Sequence, residues 1–292
     1  MGEPKPPKIN KAGHRHLSFM KRILIFIRLF WLNLFATTPV VDPDSPVDVT
    51  LTSHSDRIRR AFASIESIGR GARRPRRLIL FLGNQYEQQP LPTTLQRLVR
   101  RGLEIRYVDD VGPHTKYYPY LQLSKRPETP LVTADDDKMY DRDWLNGLIH
   151  AYRAEPQMVN CWRAREVRID AQGLRPYDEW PLCSDTRARL THFATGVGGV
   201  IYPPALLQRL KEAGDVFKDC CPKADDLWLH VTAIRQGYPI RQIDRCAREY
   251  PGVPRSSRTA LQRTNIDGKR NDVQAAQTYT SDDIRRLAQA TD

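Results

Sequence analysis

Three consecutive carboxylates, Asp135, Asp136 and Asp137, lie in the stretch PLVTADDDKMYDRDW, residues 130–144. Adjacent like charges repel, so such a run either lies on a solvated loop, where salt screens it, or is neutralised by a cation. An Asp-x-Asp spacing at the end of a strand can direct two carboxylates to one hard divalent cation, Mg²⁺ or Mn²⁺. That cation would bridge the diphosphate of a nucleotide-linked donor and neutralise the leaving phosphate. On its own, the spacing leaves both explanations open.

A second acidic pair, Asp225 and Asp226, begins an apparent helix in ADDLWLHVTAIRQGYPI, residues 224–240. Acids in a first turn stabilise a helix dipole, but one of them could instead remove a proton from an attacking hydroxyl as a general base. His230 lies four residues after Asp226 on the same helical face. It is either a metal ligand or a structural histidine.

The segment FATGVGGVIYPP, residues 193–204, carries Gly196, Gly198 and Gly199 before a strand-like stretch. Glycines let the backbone approach a sugar closely, although a plain glycine-rich turn explains the pattern equally well. The spacing is neither that of the dinucleotide fingerprint nor that of a Walker loop. The segments CWRARE and RPYDEW supply side chains that either form walls of an acceptor site or pack in the core: Trp162, Arg163, Tyr177 and Trp180.

Two basic segments could contact donor phosphates. Lys116 in GPHTKYYPYL would add positive charge near a diphosphate, or it is an ordinary solvated lysine. In LQRTNIDGKRNDVQ, residues 261–274, Lys269, Arg270 and Asn271 could close over the donor as a lid, or they belong to a surface tail.

The elements that must position these residues begin at Val47. Strand-like segments (VDVTLTSH, RRLILFLG, LEIRYVDD, PLVTADDD) alternate with helix-like ones (SDRIRRAFASIESIGR, LPTTLQRLVRRG). This alternation predicts an α/β fold with a mostly parallel sheet. Ligands of such sheets bind beyond the carboxyl ends of the strands, which is where Asp135–Asp137 would lie.

The N-terminal segment has a different character. Residues 1–22 carry six basic residues against one acid, and the apolar run from Ile23 to Phe35 contains Arg28. Thirteen residues are too few for a span, which needs about 20, and no A-x-A cleavage site follows the run. The pattern favours an interfacial helix on anionic lipid, with a helix docked on the protein's own core or on a second subunit as the alternative. The aromatic residues expected to enter lipid are Phe26, Phe30, Trp31 and Phe35.

The prolines of TTPVVDPDSPVD then indicate a linker. We therefore predict three parts: an N-terminal segment and linker (1–46), a catalytic domain (47–250) and a polar C-terminal tail (251–292).

The amino-acid composition limits the classes of molecule that the protein is expected to bind. The 292 residues carry a net charge of +12 and a pI near 9.6, which favours an anionic partner. The arginines are dispersed, and the acidic centre would repel phosphate without a metal, so nucleic acid is not expected. Five cysteines, two of them adjacent, do not form a disulfide framework and indicate a reducing, cytosolic setting.

In this order, the motifs VTLTSHSDRI, LPTTLQRLVRRGLEI, GPHTKYYPYL, LVTADDDKMYDRDWL, FATGVGGVIYPP and ADDLWLHVTAIRQGYPI resemble bacterial glycosyltransferases of the GT-A fold. The likeness is to a group of surface-polysaccharide transferases related to family 2 glycosyltransferases, and it covers about residues 47–250. It implies one Rossmann-like domain with a mixed, mostly parallel sheet flanked by helices. It also implies a metal-bound nucleotide sugar and transfer to an acceptor hydroxyl.

The resemblance also implies roles for individual residues. Asp135 and Asp137 match the metal and diphosphate motif, with His230 as a further ligand. Asp225 and Asp226 match the acidic pair at the acceptor side, where Asp226 aligns with the catalytic base, although the first acid is Asp here rather than Glu. The family's donor loop begins near TSHSDRI, so its candidates are Thr52, Ser53 and Arg57.

The expected function is therefore metal-dependent, inverting sugar transfer to a surface glycan, which can be lipid-linked, on the cytoplasmic face of the membrane. Mn²⁺ or Mg²⁺ is the expected cofactor. One alternative is a nucleotidyl- or sugar-phosphate transferase, although the glycine- and lysine-rich pyrophosphorylase loop is missing near the first strand. The other is a basic module that binds membrane or nucleic acid.

Overall fold

The computed structural model describes residues 19–123, 125–255 and 270–290. Its main sheet has eight strands: β1 (Asp48–Thr52), β2 (Arg77–Gly83), β3 (Leu103–Val108), β4 (Leu131–Thr133), β5 (Val159–Cys161), β9 (Ala188–Arg189), β11 (Val200–Tyr202) and β12 (Ile240–Gln242). Two small ribbons accompany it, one of β6 (Ala164–Glu166) with β10 (His192–Ala194) and one of β7 (Ile169–Asp170) with β8 (Gly173–Leu174).

The sheet has the strand order β3-β2-β1-β4-β11-β5-β12-β9. Strands β3, β2, β1 and β4 are parallel neighbours, and β5 is parallel to β12. Strand β11 runs antiparallel between β4 and β5, and β9 is an antiparallel edge. Because Thr50 pairs with Thr133, the residues that follow β1 and β4 emerge at one edge of the sheet.

Helices cover both faces of the sheet. They are α1 (Phe19–Phe35), α2 (Ala61–Gly69), α3 (Thr93–Val99), α4 (Tyr118–Gln122), α5 (Trp144–Ala154), α6 (Pro204–Glu212), α7 (Phe217–Cys220), α8 (Asp225–Arg235), α9 (Arg270–Thr278) and α10 (Ser281–Gln289). In β2, Leu78, Leu80 and Leu82 enter one apolar core while Ile79 and Phe81 enter the other. A strand buried on both faces reads as a continuous apolar run, which is why RRLILFLG was recognisable. The predicted class, an α/β fold with a mixed, mostly parallel sheet flanked by helices, is confirmed.

Local differences from the predicted elements are small. The helix expected from SDRIRRAFASIESIGR is divided: a 3₁₀ turn at Ser55–Arg57 precedes α2. Ser55 has a φ of 51°, in the left-handed region that side chains with a Cβ seldom adopt. The turn redirects the chain and places Arg57 against the acidic run instead of along the helix.

Helix α1 docks on the protein itself with one face. It packs against α2 and α3, and its Leu29 and Asn33 are each 1% exposed. The Asn33 side-chain amide donates a hydrogen bond to the Glu66 carboxylate at 3.0 Å. The same carboxylate forms a salt bridge with Arg101 at 2.6 Å. Phe26 lies 5.5 Å from the ring of Phe62, so the expectation that Phe26 enters lipid is wrong: this ring covers the protein's own core.

The opposite face of α1 is exposed and apolar. Its exposed large side chains are Phe19, Met20, Leu24, Ile27, Phe30, Trp31 and Phe35. No helix among the described residues has the length and apolarity needed to cross a bilayer. The segment that follows α1 is irregular, as its prolines predict, but Val40 and Val47 within it are fully buried.

Residues 270–290 form two packed helices, whereas the sequence indicated a polar tail. Helices α9 and α10 both contact α8, and Arg235 of α8 forms a salt bridge with Asp283 at 2.7 Å. Thr280 and Asp283 cap α10 reciprocally, which stabilises its first turn. Lys269, predicted to contact the donor, lies outside the described residues.

Candidate functional site

A cavity of about 750 Å³ opens at the carboxyl ends of β1 and β4. Segments that are distant in the sequence line it, among them the loop after β1, the acidic run after β4, the glycine-rich loop after β10 and the start of α8. Ligand sites of open α/β sheets lie at this edge. Nine residues predicted for catalysis, metal or donor line it: Thr52, Ser53, Arg57, Lys116, Asp135, Asp137, Asp225, Asp226 and Asn271.

Asp136, the middle carboxylate, is held by the loop after β1. Arg57 forms a salt bridge with it through Nη2 and donates a second hydrogen bond through Nε at 3.2 Å. The Ser53 hydroxyl donates to the same carboxylate at 2.5 Å. Burial raises the pKa of Asp136 to about 6, although the charge of Arg57 opposes this shift. Asp136 therefore anchors the loop, and Arg57 also lies 3.3 Å from Asp137. All three carboxylates of the run line the cavity.

Lys116 connects the two acidic segments. Its ammonium lies 2.7 Å from Asp135 and 3.5 Å from Asp225. Burial acts against the charged form, but the charges of Asp135, Asp225 and Asp226 outweigh it and raise the pKa of Lys116 well above its ordinary value. Burial likewise acts to raise the pKa of Asp135, yet the charge and hydrogen bond of Lys116 keep that pKa below its usual range. Both groups are ionised at neutral pH.

Asp226 lies at the first turn of α8, facing the glycine-rich loop. The backbone N–H of Gly196 donates to its two carboxylate oxygens at 3.1 and 3.2 Å. A Cβ at position 196 would lie 3.2 Å from Asp226 Oδ1 and 3.1 Å from Lys116 Nζ, so glycine permits this approach. Burial, followed by the charge of Asp225, raises the pKa of Asp226 to about 8. A carboxylate with that pKa is a strong base once it is ionised.

The acidic residues offer the donor set of a hard cation. Asp135 and Asp137 supply carboxylate oxygens at one end of the cavity. Within the described part of the chain, a buried oxygen of Asp225, Oδ2, has no hydrogen-bond partner, and Lys116 is the one cation within ion-pair distance of it. Oxygen ligands with excess negative charge are what Mg²⁺ and Mn²⁺ take. The residues present therefore fit a divalent cation held by Asp135 and Asp137.

The predicted metal role of His230 does not agree with the structure. Its Nδ1 is 2.6 Å from the Tyr279 hydroxyl and its Nε2 is 3.0 Å from the Leu190 carbonyl oxygen. Both ring nitrogens are thus engaged in the core, and neither is available to a metal. Burial lowers the pKa of His230 to about 4, so the ring is a neutral structural group that joins α8 to the C-terminal helices.

The acceptor-side predictions also need correction. Trp180 is fully buried, and its indole N–H donates to the Arg175 carbonyl oxygen at 2.9 Å. Gly198 and Gly199 do not line the cavity but accommodate tryptophans. The Gly198 carbonyl oxygen accepts from the Trp144 indole, and a Cβ on Gly199, at φ 90°, would lie 2.5 Å from the same ring. Gly196 is the glycine of this loop that faces the cavity.

Sequence reasoning missed Arg165, which lines the cavity together with Arg163. The signal was available, because residues i and i+2 of an extended segment face the same side and Arg163 and Arg165 have this spacing. Tyr177, named as a candidate wall, also lines the cavity.

Comparisons with known proteins give only distant structural likenesses. No protein-family model matches the chain, and no curated protein matches it. A mannosyltransferase from Pyrobaculum calidifontis, solved with GDP-Man and Mn²⁺, is 16% identical with a TM-score of 0.49, over 94% of this chain and 77% of that one. A CMP:2-keto-3-deoxy-manno-octonic acid synthetase complexed with CTP is 12% identical with a TM-score of 0.42, over 68% and 88%. At these values neither likeness carries an argument about this chain, and the site must be interpreted from its own geometry.

Proposed function

We propose that the protein is a glycosyltransferase that moves a sugar from a nucleotide-sugar donor to an acceptor hydroxyl. The observation that supports this most strongly is the position of Asp226. It lies in the same cavity as the acidic run, held by the Gly196 N–H and separated from Asp135 by the Lys116 ammonium. A base on one side and a diphosphate-binding group on the other are the two components that displacement at a sugar carbon needs.

On the donor side, Asp135 and Asp137 would hold a divalent cation, and Thr52, Ser53 and Arg57 line the wall next to them. When bound, the cation supplies positive charge to the leaving diphosphate. Lys116 provides a second positive charge at the same place, since its ammonium already contacts Asp135.

On the acceptor side, Asp226 would accept the proton of the attacking hydroxyl. Direct attack assisted by one base gives inversion at the sugar carbon. With a pKa of about 8, Asp226 is largely protonated at pH 7 in the free protein, so kcat/KM should rise as the pH increases towards 8 and above. Asp225 places its charge next to Asp226 and contributes to that shift.

A nucleotidyl- or sugar-phosphate transferase is the alternative that the same carboxylates permit. Where its nucleophile is a sugar phosphate, that group is already ionised and needs no general base, so a carboxylate poised to take a proton, as Asp226 is, favours a hydroxyl acceptor over a phosphate. Nucleotidyl transfer to a hydroxyl would use the same base. The products separate the two: sugar transfer releases a nucleoside diphosphate, whereas nucleotidyl transfer releases pyrophosphate.

We further propose that the protein works peripherally at the inner face of the cytoplasmic membrane, on a surface glycan that can be lipid-linked. The exposed apolar face of α1, with Trp31 and Phe35 among its side chains, supports this proposal together with the net charge of +12. Aromatic side chains enter the interface and basic residues meet anionic headgroups.

The function is tested by a screen of nucleotide sugars with Mn²⁺ in which release of nucleoside diphosphate and of pyrophosphate is measured separately. We expect nucleoside diphosphate release from one donor class, dependent on Mn²⁺ and strongly reduced in Asp226→Asn. Asp219→Asn, at an exposed position of α7, is the control. Pyrophosphate as the product would replace the proposal with the nucleotidyl alternative, and no reaction with any donor would remove both.

A further inference from the structure

Two arginines extend from the β6–β10 ribbon into the cavity. Arg163 immediately precedes β6, and Arg165 lies within it, opposite Phe193 of β10. Arg163 Nη1 donates to the Thr195 hydroxyl at 2.8 Å. Arg165 Nη1 donates to the Trp180 carbonyl oxygen at 2.5 Å, and its guanidinium lies 5.1 Å from the centroid of the Tyr177 ring. Neutral groups that follow β10 or lie around the 3₁₀ turn at Tyr177–Glu179 thus contact both cations.

Neither guanidinium forms a salt bridge with any carboxylate of residues 19–123, 125–255 and 270–290. Two other cations at the cavity do form salt bridges with carboxylates: Arg57 pairs with Asp136, and Lys116 pairs with Asp135. Arg165 Nε is buried and has no hydrogen-bond partner among these described residues. Burial, and then the neighbouring charge of Arg165, lower the pKa of Arg163. The two half-buried like charges repel each other, and although the charges of Glu249 and Asp226 in the same cavity act in the opposite direction on Arg163, a bound anion would offset the repulsion further.

The arginines lie on the acceptor side of the cavity. Thr195, the partner of Arg163, directly precedes Gly196, whose N–H holds Asp226. The cavity walls next to the ribbon include Tyr177 and Asn271, and the buried Asn271 Oδ1 also has no hydrogen-bond partner. The donor side, around Arg57 and the acidic run, has its own cations. A negative group at the arginines would therefore belong to the molecule that presents its hydroxyl to Asp226.

We propose that Arg163 and Arg165 form an anion subsite that selects acceptors bearing a carboxylate or phosphate group close to the reacting hydroxyl. Guanidinium groups bind both oxyanions through paired N–H donors. This inference rests on the proposed transfer reaction for the identity of the ligand as acceptor, but the anion subsite itself can be tested by binding alone.

The test is the binding of glucose, glucuronic acid and glucose 1-phosphate to the full-length protein, measured by calorimetry with UDP or GDP and Mn²⁺ present so that the donor side is filled. Arg163→Gln and Arg165→Gln are compared with wild type. Arg241→Gln is the matched control, because Arg241 Nε is likewise buried without a partner while its side chain does not line the cavity.

We expect wild type to bind one or both of the anionic sugars at least tenfold more tightly than glucose. Each cavity variant should lose about tenfold of that preference, the size typical of one hydrogen bond to a charged group, while Arg241→Gln keeps it. Tighter binding of glucuronic acid would indicate an acceptor with a carboxylate, and tighter binding of glucose 1-phosphate would indicate an acceptor with a phosphate. Equal binding of all three sugars by wild type would overturn the subsite, as would an undiminished preference in both variants.

Two further results separate this inference from the proposed function. Loss of UDP or GDP affinity in the variants would assign the arginines to the donor diphosphate and overturn the acceptor assignment. A charge preference that depends on the arginines in a protein that transfers no sugar would uphold the anion subsite and remove the glycosyltransferase proposal.

Discussion

Replacing Asp226 by Asn should make the protein more stable and less active. The amide oxygen of Asn can still accept from the Gly196 N–H, so the loop contact at 3.1 Å is kept. What disappears is a buried carboxylate that the native state ionises with difficulty, because burial and Asp225 raise its pKa from 3.8 to about 8. Activity should fall by roughly 10²–10⁴-fold, the range for losing general-base assistance.

The stability gain has a defined pH window. Between pH 4 and 8 the unfolded chain releases the Asp226 proton while the native state retains it, so native stability declines as the pH rises. Each pKa unit corresponds to about 1.36 kcal/mol, so above pH 8 the penalty is on the order of a few kcal/mol. Asn has no proton to lose. The variant should therefore match wild type near pH 4 and melt several degrees higher at pH 8.5.

Thermal melts at pH 5.0, 7.0 and 8.5, combined with turnover on the donor found in the screen, measure both effects. Asp219→Asn, exposed on α7, should change neither. A variant that melts earlier than wild type at pH 8.5 would show that Asp226 stabilises the native state through its charge, contrary to the reasoning above. A variant that is more stable and fully active would remove Asp226 from the chemistry.

Three other outcomes are expected. Asp135→Asn and Asp137→Asn should each lose the Mn²⁺-dependent part of their affinity for a nucleoside diphosphate, measured by calorimetry. The control Asp143→Asn, at an exposed position, should keep that affinity. Unchanged affinity in both cavity variants would exclude the metal role. Deleting residues 1–38 should lower the free energy of unfolding in urea by several kcal/mol. The deletion uncovers the core around Leu29 and leaves the buried Glu66 without its Asn33 partner. An unchanged urea midpoint would show that α1 is dispensable. Full-length protein should co-sediment with phosphatidylglycerol vesicles at low salt and less so at high salt. Trp31→Ala should reduce the fraction of protein that co-sediments. A protein that does not bind anionic vesicles would leave α1 as an oligomer contact.

The sequence was informative where local pattern decides structure. The runs of β1, β2 and β4 are almost entirely buried, and such runs are recognisable without knowledge of their neighbours. The same holds for Asp225 and Asp226 at the start of α8. The strand pattern placed Asp135–Asp137 at the carboxyl edge of the sheet, and only the resemblance put Asp225 and Asp226 in the same site.

Other features depended on contacts that no local pattern contains. Arg57 and Asp136 are 79 positions apart, and only the fold shows that the middle acid of the run is structural. His230 was misassigned because its partners, Tyr279 and Leu190, lie 49 and 40 positions away. The C-terminal helices had a usable local signal in the Thr280–Asp283 capping box, but their overall polarity concealed it.

The buried contact between Asn33 and Glu66 determines more than the stability of α1. A helix held by apolar contacts alone can rotate about its axis or slide along its groove, whereas a buried polar pair permits one register. The exposed apolar face of α1 therefore keeps a constant angle to the mouth of the cavity. On a bilayer, this constant angle would set the height of Asp226 above the headgroups. Acceptors would then be selected by reach, according to how far their reacting hydroxyl extends from the lipid surface.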